Sequence, residues 1–307
     1  MIQGIRVIDF HCHFPNSGEW FPDYKLPVAL SKSSKTNQTQ AELWRKAYNF
    51  PEQRVEIRDD REAADKWYED ITKKNIEKVV FVSGGGNQRL AKVASYHPDR
   101  FIAFAHHNPF SEKSAAVLEH DIKNLGFKGY KILGSALNQP LNDSSLYDLW
   151  EVCNSYKIPV IIHFGILGSA SGISKGININ PLVLQDVAND FPDLCFVVPH
   201  FSAGYPTELL QLCWACPNVY VDTSGSNQWA RWMAYELTLQ DLFRKFYMTI
   251  GPDRILFGTD SSWFPRTFAY TYLEEQHRIM RFLNFSEEDI KKILFRNAAG
   301  LLALDKD

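Results

Sequence analysis

Short apolar runs rich in β-branched residues recur along this chain. Each is followed by polar residues, often with glycine or proline. They occupy residues 5–10, 77–82, 101–105, 127–132, 158–162, 194–198, 219–222 and 255–257. Between them lie stretches with helical spacing, over residues 40–75, 87–96, 111–125, 143–156, 181–191, 206–215, 270–282 and 286–302. Gly126 stands at a helix-stop position, and Ser286 with Asp289 marks a helix start. Helical stretches thus separate nearly all of the eight strands. Uniformly apolar strands alternating with helices imply a parallel sheet covered by helices. Eight such units predict an α/β fold, a closed (β/α)8 TIM barrel, as a single domain over residues 1–307. An open doubly wound sheet is the alternative, weakened because no glycine-rich phosphate loop follows the first strand.

One segment breaks the rhythm. Residues 15–50 read as a long insertion after the first strand, beginning with a polar stretch that contains the run Ser31 to Gln38. It is too long for an ordinary connection. A functional lid and a disordered linker fit it equally: Trp20 and Phe21 suit an anchored lid, and the Ser/Lys/Asn run suits a mobile linker.

Composition narrows the class. The apolar fraction of 45% supports a sizeable core, and a net charge of −3 supplies no basic field for nucleic acid. No apolar run reaches the ~18–20 residues that span a bilayer. No basic segment followed by an apolar one marks a signal peptide. Five scattered cysteines fit a reducing compartment, so a cytoplasmic setting is expected. Cys213 and Cys216 form a CxxC, but no second pair completes a zinc site, so core packing is the preferred reading. Aromatics in loops, among them Trp229, Trp232, Trp263 and Phe264, suit a pocket wall or a subunit contact.

The chemistry gathers at strand ends. His11 and His13 follow the first strand at i and i+2, which share one side of an extended backbone. His106 and His107 follow the third strand, Lys131 the fourth, His163 the fifth, His200 the sixth, Asp222 the seventh and Asp260 the eighth. Six of the nine histidines therefore sit at strand C-termini, the rim where barrels carry their sites. Imidazoles with a carboxylate suit a borderline divalent metal such as zinc.

The segments Phe10-His11-Cys12-His13, Ile161-Ile162-His163-Phe164-Gly165, Val198-Pro199-His200-Phe201 and Leu256-Phe257-Gly258-Thr259-Asp260 resemble the amidohydrolase superfamily. They are closest to the amidohydrolase-related branch that includes aminocarboxymuconate-semialdehyde decarboxylase. The likeness extends to residues 126–131 and 295–299. It implies one divalent metal, zinc first and manganese as the alternative, held by His11, His13, His163 and Asp260. It gives catalytic proton-handling roles to His200 and Asp260, and dimers occur in many members. Lys131 lies near the place of the carboxylated lysine of binuclear members. With one metal it faces a substrate carboxylate or forms a buried pair, and a plain lysine stem on the rim fits equally.

His107, Arg231 and Arg266 complete the expected substrate-binding set, since arginine forks bind carboxylates in bidentate fashion. Asp222 fits either a partner for a ligating histidine or a turn cap. The leading expectation is a metal-dependent hydrolase of a small carboxylated lactone, ester or amide, acting through metal-activated water. A non-oxidative decarboxylase of the same family is the alternative. Resorcylate-type decarboxylases carry Glu in place of the first histidine of the HxH pair, so His11 argues against that subgroup. A non-catalytic metal-binding barrel and a Schiff-base barrel using Lys131 rank behind. The expected partners are a small-molecule substrate and a second copy of the chain, with no nucleic acid and no membrane.

Overall fold

The computed structural model describes residues 1–15, 24, 35–53, 59–166 and 176–305. The expected Trp20–Phe21 anchor and half of the expected insertion over residues 15–50 lie outside these residues.

The element order alternates as the hydrophobic pattern requires. β1 (Ile8–His13) is followed by α1 (Lys35–Ala47) and α2 (Asp60–Lys73). Then come β2 (Lys78–Ser83), α3 (Asn87–Ala94), β3 (Phe101–Ala103), α4 (Ser114–Leu125), β4 (Tyr130–Leu133) and α5 (Tyr147–Ser155). β5 (Val160–His163), α6 (Gln185–Asp190), β6 (Phe196–Val198), α7 (Pro206–Ala215), β7 (Val219–Asp222) and α8 (Leu239–Ile250) follow. The chain ends with β8 (Ile255–Leu256), α9 (Tyr270–Phe282), α10 (Glu287–Lys291) and α11 (Asn297–Leu301).

All strand pairs are parallel and sequential, β1-β2-β3 in one sheet and β4 to β8 in the other. Backbone bridges join the two sheets at both seams, Ala105 with Tyr130 and Cys12 with Ser261. The eight strands therefore run in one ring. At the β8–β1 seam, Asp260 N donates to His11 O at 2.8 Å and His13 N to Ser261 O at 2.8 Å.

Two apolar clusters hold the ring. Ile8, Phe10, Val80, Val82, Ile161, Val197 and Leu256 fill its interior, joined by Phe295, Ala299 and Leu302 from the last helical run. A larger cluster packs the outer strand faces against the helices, with Trp67 and Trp150 fully buried. Cys213 and Cys216 belong to this outer layer as free thiols, the former pushed up to about 12 by burial. Core packing therefore accounts for the CxxC.

Three features differ from the pattern reading. The stretch expected as one helix over 40–75 is two, and α1 begins inside what reads as loop. α8 fills the interval after β7, where the sequence reading places no helix. Its signal is a capping box, Thr238 with Asp241, ahead of Leu242, Phe243 and Phe246. The final helix is interrupted by a wider turn at residues 292–296 between α10 and α11. Gly126 has the left-handed φ of 72° expected of a helix stop, and Ser286 accepts from Asp289 N as a helix cap.

Gly258 marks the seam. A Cβ there would lie 2.8 Å from Ser224 Cβ and 3.0 Å from His11 Cβ, so only glycine lets β8 approach both strands. Gly258→Ala is expected to destabilise the protein by roughly 1–3 kcal/mol through overpacking. Chemical denaturation checks this; an unchanged midpoint and slope contradict the packing at the seam.

Candidate active site at the strand ends

β1 delivers its histidines through an irregularity. Its pairing with β2 slips between Asp9 and Cys12 and again between Cys12 and His13. Such bulges re-aim side chains near functional sites. The two rings end on one side, with centroids 5.2 Å apart. His11 is fully buried, and its Nδ1 faces Asp222 Oδ2 at 2.8 Å and Ser224 Oγ at 3.2 Å. That leaves Nε2 turned toward Asp260 Oδ1 at 3.9 Å and Lys131 Nζ at 3.5 Å. His13 Nδ1 contacts Ser83 Oγ at 2.5 Å, and its Nε2 lies 3.1 Å from Asp260 Oδ1. Asp222 thus orients His11 and also accepts from Ser224 N at 2.8 Å, so both roles read from the sequence are present.

β6 and β8 end in strained backbone. His200, Phe201, Ser202 and Ala203 have φ of 57°, 49°, 67° and 35°, and Asp260 has φ of 56°. Left-handed conformations in non-glycine residues concentrate at functional sites. Gly165, after β5, accommodates the first run, because a Cβ there would meet Ser202 O at 2.4 Å. His200 Nδ1 contacts Ser224 O at 3.1 Å and Ser224 Oγ at 2.9 Å. Its ring centroid lies 4.9 Å from His11 and 5.1 Å from His163. His163 is buried, and its Nε2 has no hydrogen-bond partner among the described residues. Ligand atoms of His11, His200 and Asp260 all lie within 4.8 Å of one another. This tight triad includes His200, which the sequence reading places among the proton carriers, with His13 and His163 beside it.

The electrostatics suit a cation. Burial, reinforced by Lys131, holds His11 well below its ordinary value. Burial also lowers His13, against the pull of Asp260, and it lowers His163 together with the charges of His200 and Lys131. Burial pushes the Asp260 carboxyl up, but the His13 hydrogen bond and the surrounding imidazoles outweigh it and hold it well below the usual carboxylate range. Its side chain keeps 40% of its surface open at the barrel mouth. Neutral imidazoles and an ionised carboxylate are the protonation states of metal ligands. With the orphaned His163 Nε2, they form a donor set that fits a divalent ion. Lys131 is buried between them and pushed down to about 8 by burial, which Asp222 and Asp260 partly offset.

The other expected residues take different places. His106 is a strut: its Nε2 accepts from Gly86 N at 3.0 Å and Gly84 N at 3.4 Å, fixing the loop after β2. His107 points its Nε2 to Ser114 O at 3.1 Å and its Nδ1 to Asn87 Nδ2 at 3.4 Å, so both ring nitrogens have protein partners. Arg231 is exposed and lies over the Trp232 ring at 5.2 Å. Arg266 is buried beside Asp260, with Nη2 3.4 Å from the Asp260 carbonyl.

Sequence reasoning missed Asp9. Its Oδ1 accepts from His11 N at 3.1 Å and Thr259 N at 3.0 Å, and its Oδ2 from Thr259 Oγ1 at 2.5 Å and Cys12 Sγ at 3.0 Å. Burial pushes it up to about 7. The available signal was a charged residue inside an otherwise apolar strand.

The fold and site together define a class, a parallel α/β barrel with a His/Asp cluster at its C-terminal rim. The chain belongs to the amidohydrolase family, whose sequence profile matches residues 8–304. Among curated proteins it is similar to protein fluG of Emericella nidulans, 27% identical over 136 residues. That match covers 43% of this chain and 15% of the relative's length. A solved TIM-barrel protein from Bordetella bronchiseptica is 24% identical, with a TM-score of 0.66 over 97% of this chain and 99% of that one. A probable 2-pyrone-4,6-dicarboxylic acid hydrolase from Acinetobacter baumannii, with citric acid bound, is 15% identical (TM-score 0.63, 98% and 100% covered). A dihydroxybenzoic acid decarboxylase from Polaromonas sp. JS666, with manganese and 2-nitroresorcinol bound, is 19% identical (TM-score 0.63, 97% of each covered). No helix among the described residues is long and apolar enough to cross a membrane.

The strut predicts a pH dependence. Burial holds His106 at about 3, against an ordinary value of 6.5. The unfolded chain therefore takes up a proton at this residue that the native state refuses. Its contribution is fully present above pH 6.5 and is lost as pH falls toward 3. Thermal unfolding between pH 8 and pH 5 is expected to show a shallower acid loss for His106→Gln than for the wild type. Parallel profiles contradict the assignment.

Proposed function

We propose that the protein is a metal-dependent hydrolase acting on a small carboxylated lactone, ester or amide. The observation that carries this reading is the convergence of His11, His200 and Asp260 ligand atoms within 4.8 Å, beside a buried His163 Nε2 without a hydrogen-bond partner among the described residues. In this reading His11, His13, His163 and Asp260 hold one divalent ion, zinc before manganese. Three imidazoles with a carboxylate are a zinc-type donor set. When bound, such an ion lowers the pKa of water toward ~7 and so supplies a nucleophile at neutral pH.

The chain's own residues do the rest. Asp222 fixes the His11 ring so that Nε2 faces the centre. Asp260, ionised and open to the mouth, accepts the proton of the attacking water and delivers it to the leaving group. His200, its Nδ1 held at the Ser224 carbonyl, presents Nε2 to the polarised substrate oxygen. Lys131 offers positive charge to the reacting end of the substrate and loses it as pH rises through about 8. The substrate is a small molecule, the free thiols agree with a cytoplasmic setting, and a homodimer is the proposed assembly.

Decarboxylation on the same residues is the second reading, favoured by the decarboxylases among proteins of this fold. One experiment separates them. Metal content is measured on the purified protein, which is then assayed with lactones, esters and aromatic carboxylates in ¹⁸O-water with capture of CO₂. Hydrolysis predicts about one zinc per chain, label in the product acid and no CO₂, with Asp260→Asn lowering kcat about 10²–10⁴-fold. CO₂ release without label establishes the decarboxylase. Absence of both metal and turnover contradicts both readings.

A further inference from the structure

Among the described residues one arginine is buried, Arg266, which keeps 8% of its surface exposed. Half-buried arginines elsewhere are well satisfied. Arg89 pairs with Asp60 through two nitrogens and also donates to the carbonyls of Gly84 and Pro15. Arg254 donates to the carbonyls of Cys213, Cys216 and Val219. Arg266 has least where it needs most. Among the described residues its Nε is buried without a partner, and its Nη2 makes one long bond of 3.4 Å to the Asp260 carbonyl.

Its surroundings are aromatic. The guanidinium carbon lies 5.0 Å from the Phe50 ring centroid and 4.7 Å from that of Trp263, in a corner where the two rings meet at 89°. α1 and α9 build the corner together: Trp44 Nε1 donates to Tyr272 Oη at 3.0 Å, Tyr48 Oη to Glu275 Oε2 at 2.8 Å, and Phe50 packs on Tyr272 at 5.4 Å. Ring faces attract a cation but accept none of its in-plane hydrogen bonds. A guanidinium has five N–H donors and stays charged at every working pH. A buried cation left this way lacks an oxyanion, and a planar carboxylate matches its fork. The contact with the Asp260 backbone puts that anion beside the strand-end cluster.

We propose that Arg266 is the anchor for the substrate's carboxylate, received in the Phe50–Trp263 corner next to Asp260. The proposal rests on the strand-end cluster being the active centre and adds the residue that selects acids over neutral analogues. Lys131 then serves the reacting end of the substrate, and Arg266 the remote end.

Calorimetric titration of the metal-loaded protein with benzoate and its neutral isostere benzamide tests this. The wild type is expected to bind benzoate saturably and benzamide at least about 10-fold more weakly. Arg266→Met should weaken benzoate by about 10- to 100-fold and leave benzamide unchanged, as loss of hydrogen bonds to a charged group requires. Arg266→Lys should recover part of the loss, since it keeps the charge without the fork. If Arg266→Met does not fold by circular dichroism, Arg266→Gln replaces it, with the same expectation. A benzoate-to-benzamide ratio unchanged in the neutral variant overturns the proposal and leaves Arg266 only a brace for the Asp260 backbone. No saturable benzoate binding by the wild type also overturns it. Repeating the titration after EDTA treatment separates the two claims. Benzoate selectivity that survives metal removal and still needs Arg266 supports the anchor even where metal content and turnover are nil. Selectivity that vanishes with the metal and ignores Arg266 places the acid on the ion and overturns the anchor.

Discussion

Closure of the ring between β8 and β1 is the constraint on which the site depends. β8 is only two residues long, Ile255–Leu256, so its regular pairing cannot hold the seam alone. The buried carboxylate of Asp9 does so instead. It receives the backbone N–H of His11 on its own strand and both the N–H and the hydroxyl of Thr259 on the strand opposite. One side chain thereby ties the segment that carries His11 to the segment that carries Asp260. Gly258 permits the approach, and Asp260 N to His11 O completes it. Buried polar groups of this kind are costly unless fully satisfied, and here every Asp9 oxygen is occupied.

The polar centre built on this seam is held against its own solvation preferences. Three imidazoles are driven toward neutrality by burial, while Asp260 is kept ionised in their midst. Five residues there occupy left-handed backbone conformations, each costing roughly 1–3 kcal/mol. The apolar layers inside and outside the ring sustain this arrangement, because they fix the strands whose ends supply the groups. Neutral imidazoles around one ionised carboxylate have the protonation states of metal ligands. Arg266 is the counterpart of opposite sign, a buried cation whose Nε has no hydrogen-bond partner among the described residues. In the proposed reading, a metal is held on one side of this centre and an acid is received on the other.

The strands and the polar residues at their ends were legible because both follow local rules: apolar runs with β-branched residues, and histidines where barrels place chemistry. His11, His13, His163, His200 and Asp260 converge as strand-end logic requires. What the sequence hid depends on tertiary contact. The β1 bulge is set by pairing with β2, and the left-handed run after β6 by the passage of Gly165. The partners of His106 and His107 in the β2–α3 loop and at the start of α4 are likewise set by tertiary contact. α8 was missed despite a capping box, since its helix lies in a long interval without strand punctuation. Asp9 was overlooked because one acidic residue in an apolar strand says nothing of the four donors folding brings to it.

The central claim is that the strand-end residues converge on one metal. Anomalous diffraction at the zinc and manganese edges, from crystals of the protein purified without chelator, tests it most directly. The account predicts a single peak among His11, His13, His163 and Asp260, with His200 beside it. A peak elsewhere, or none in crystals grown with millimolar zinc, contradicts it.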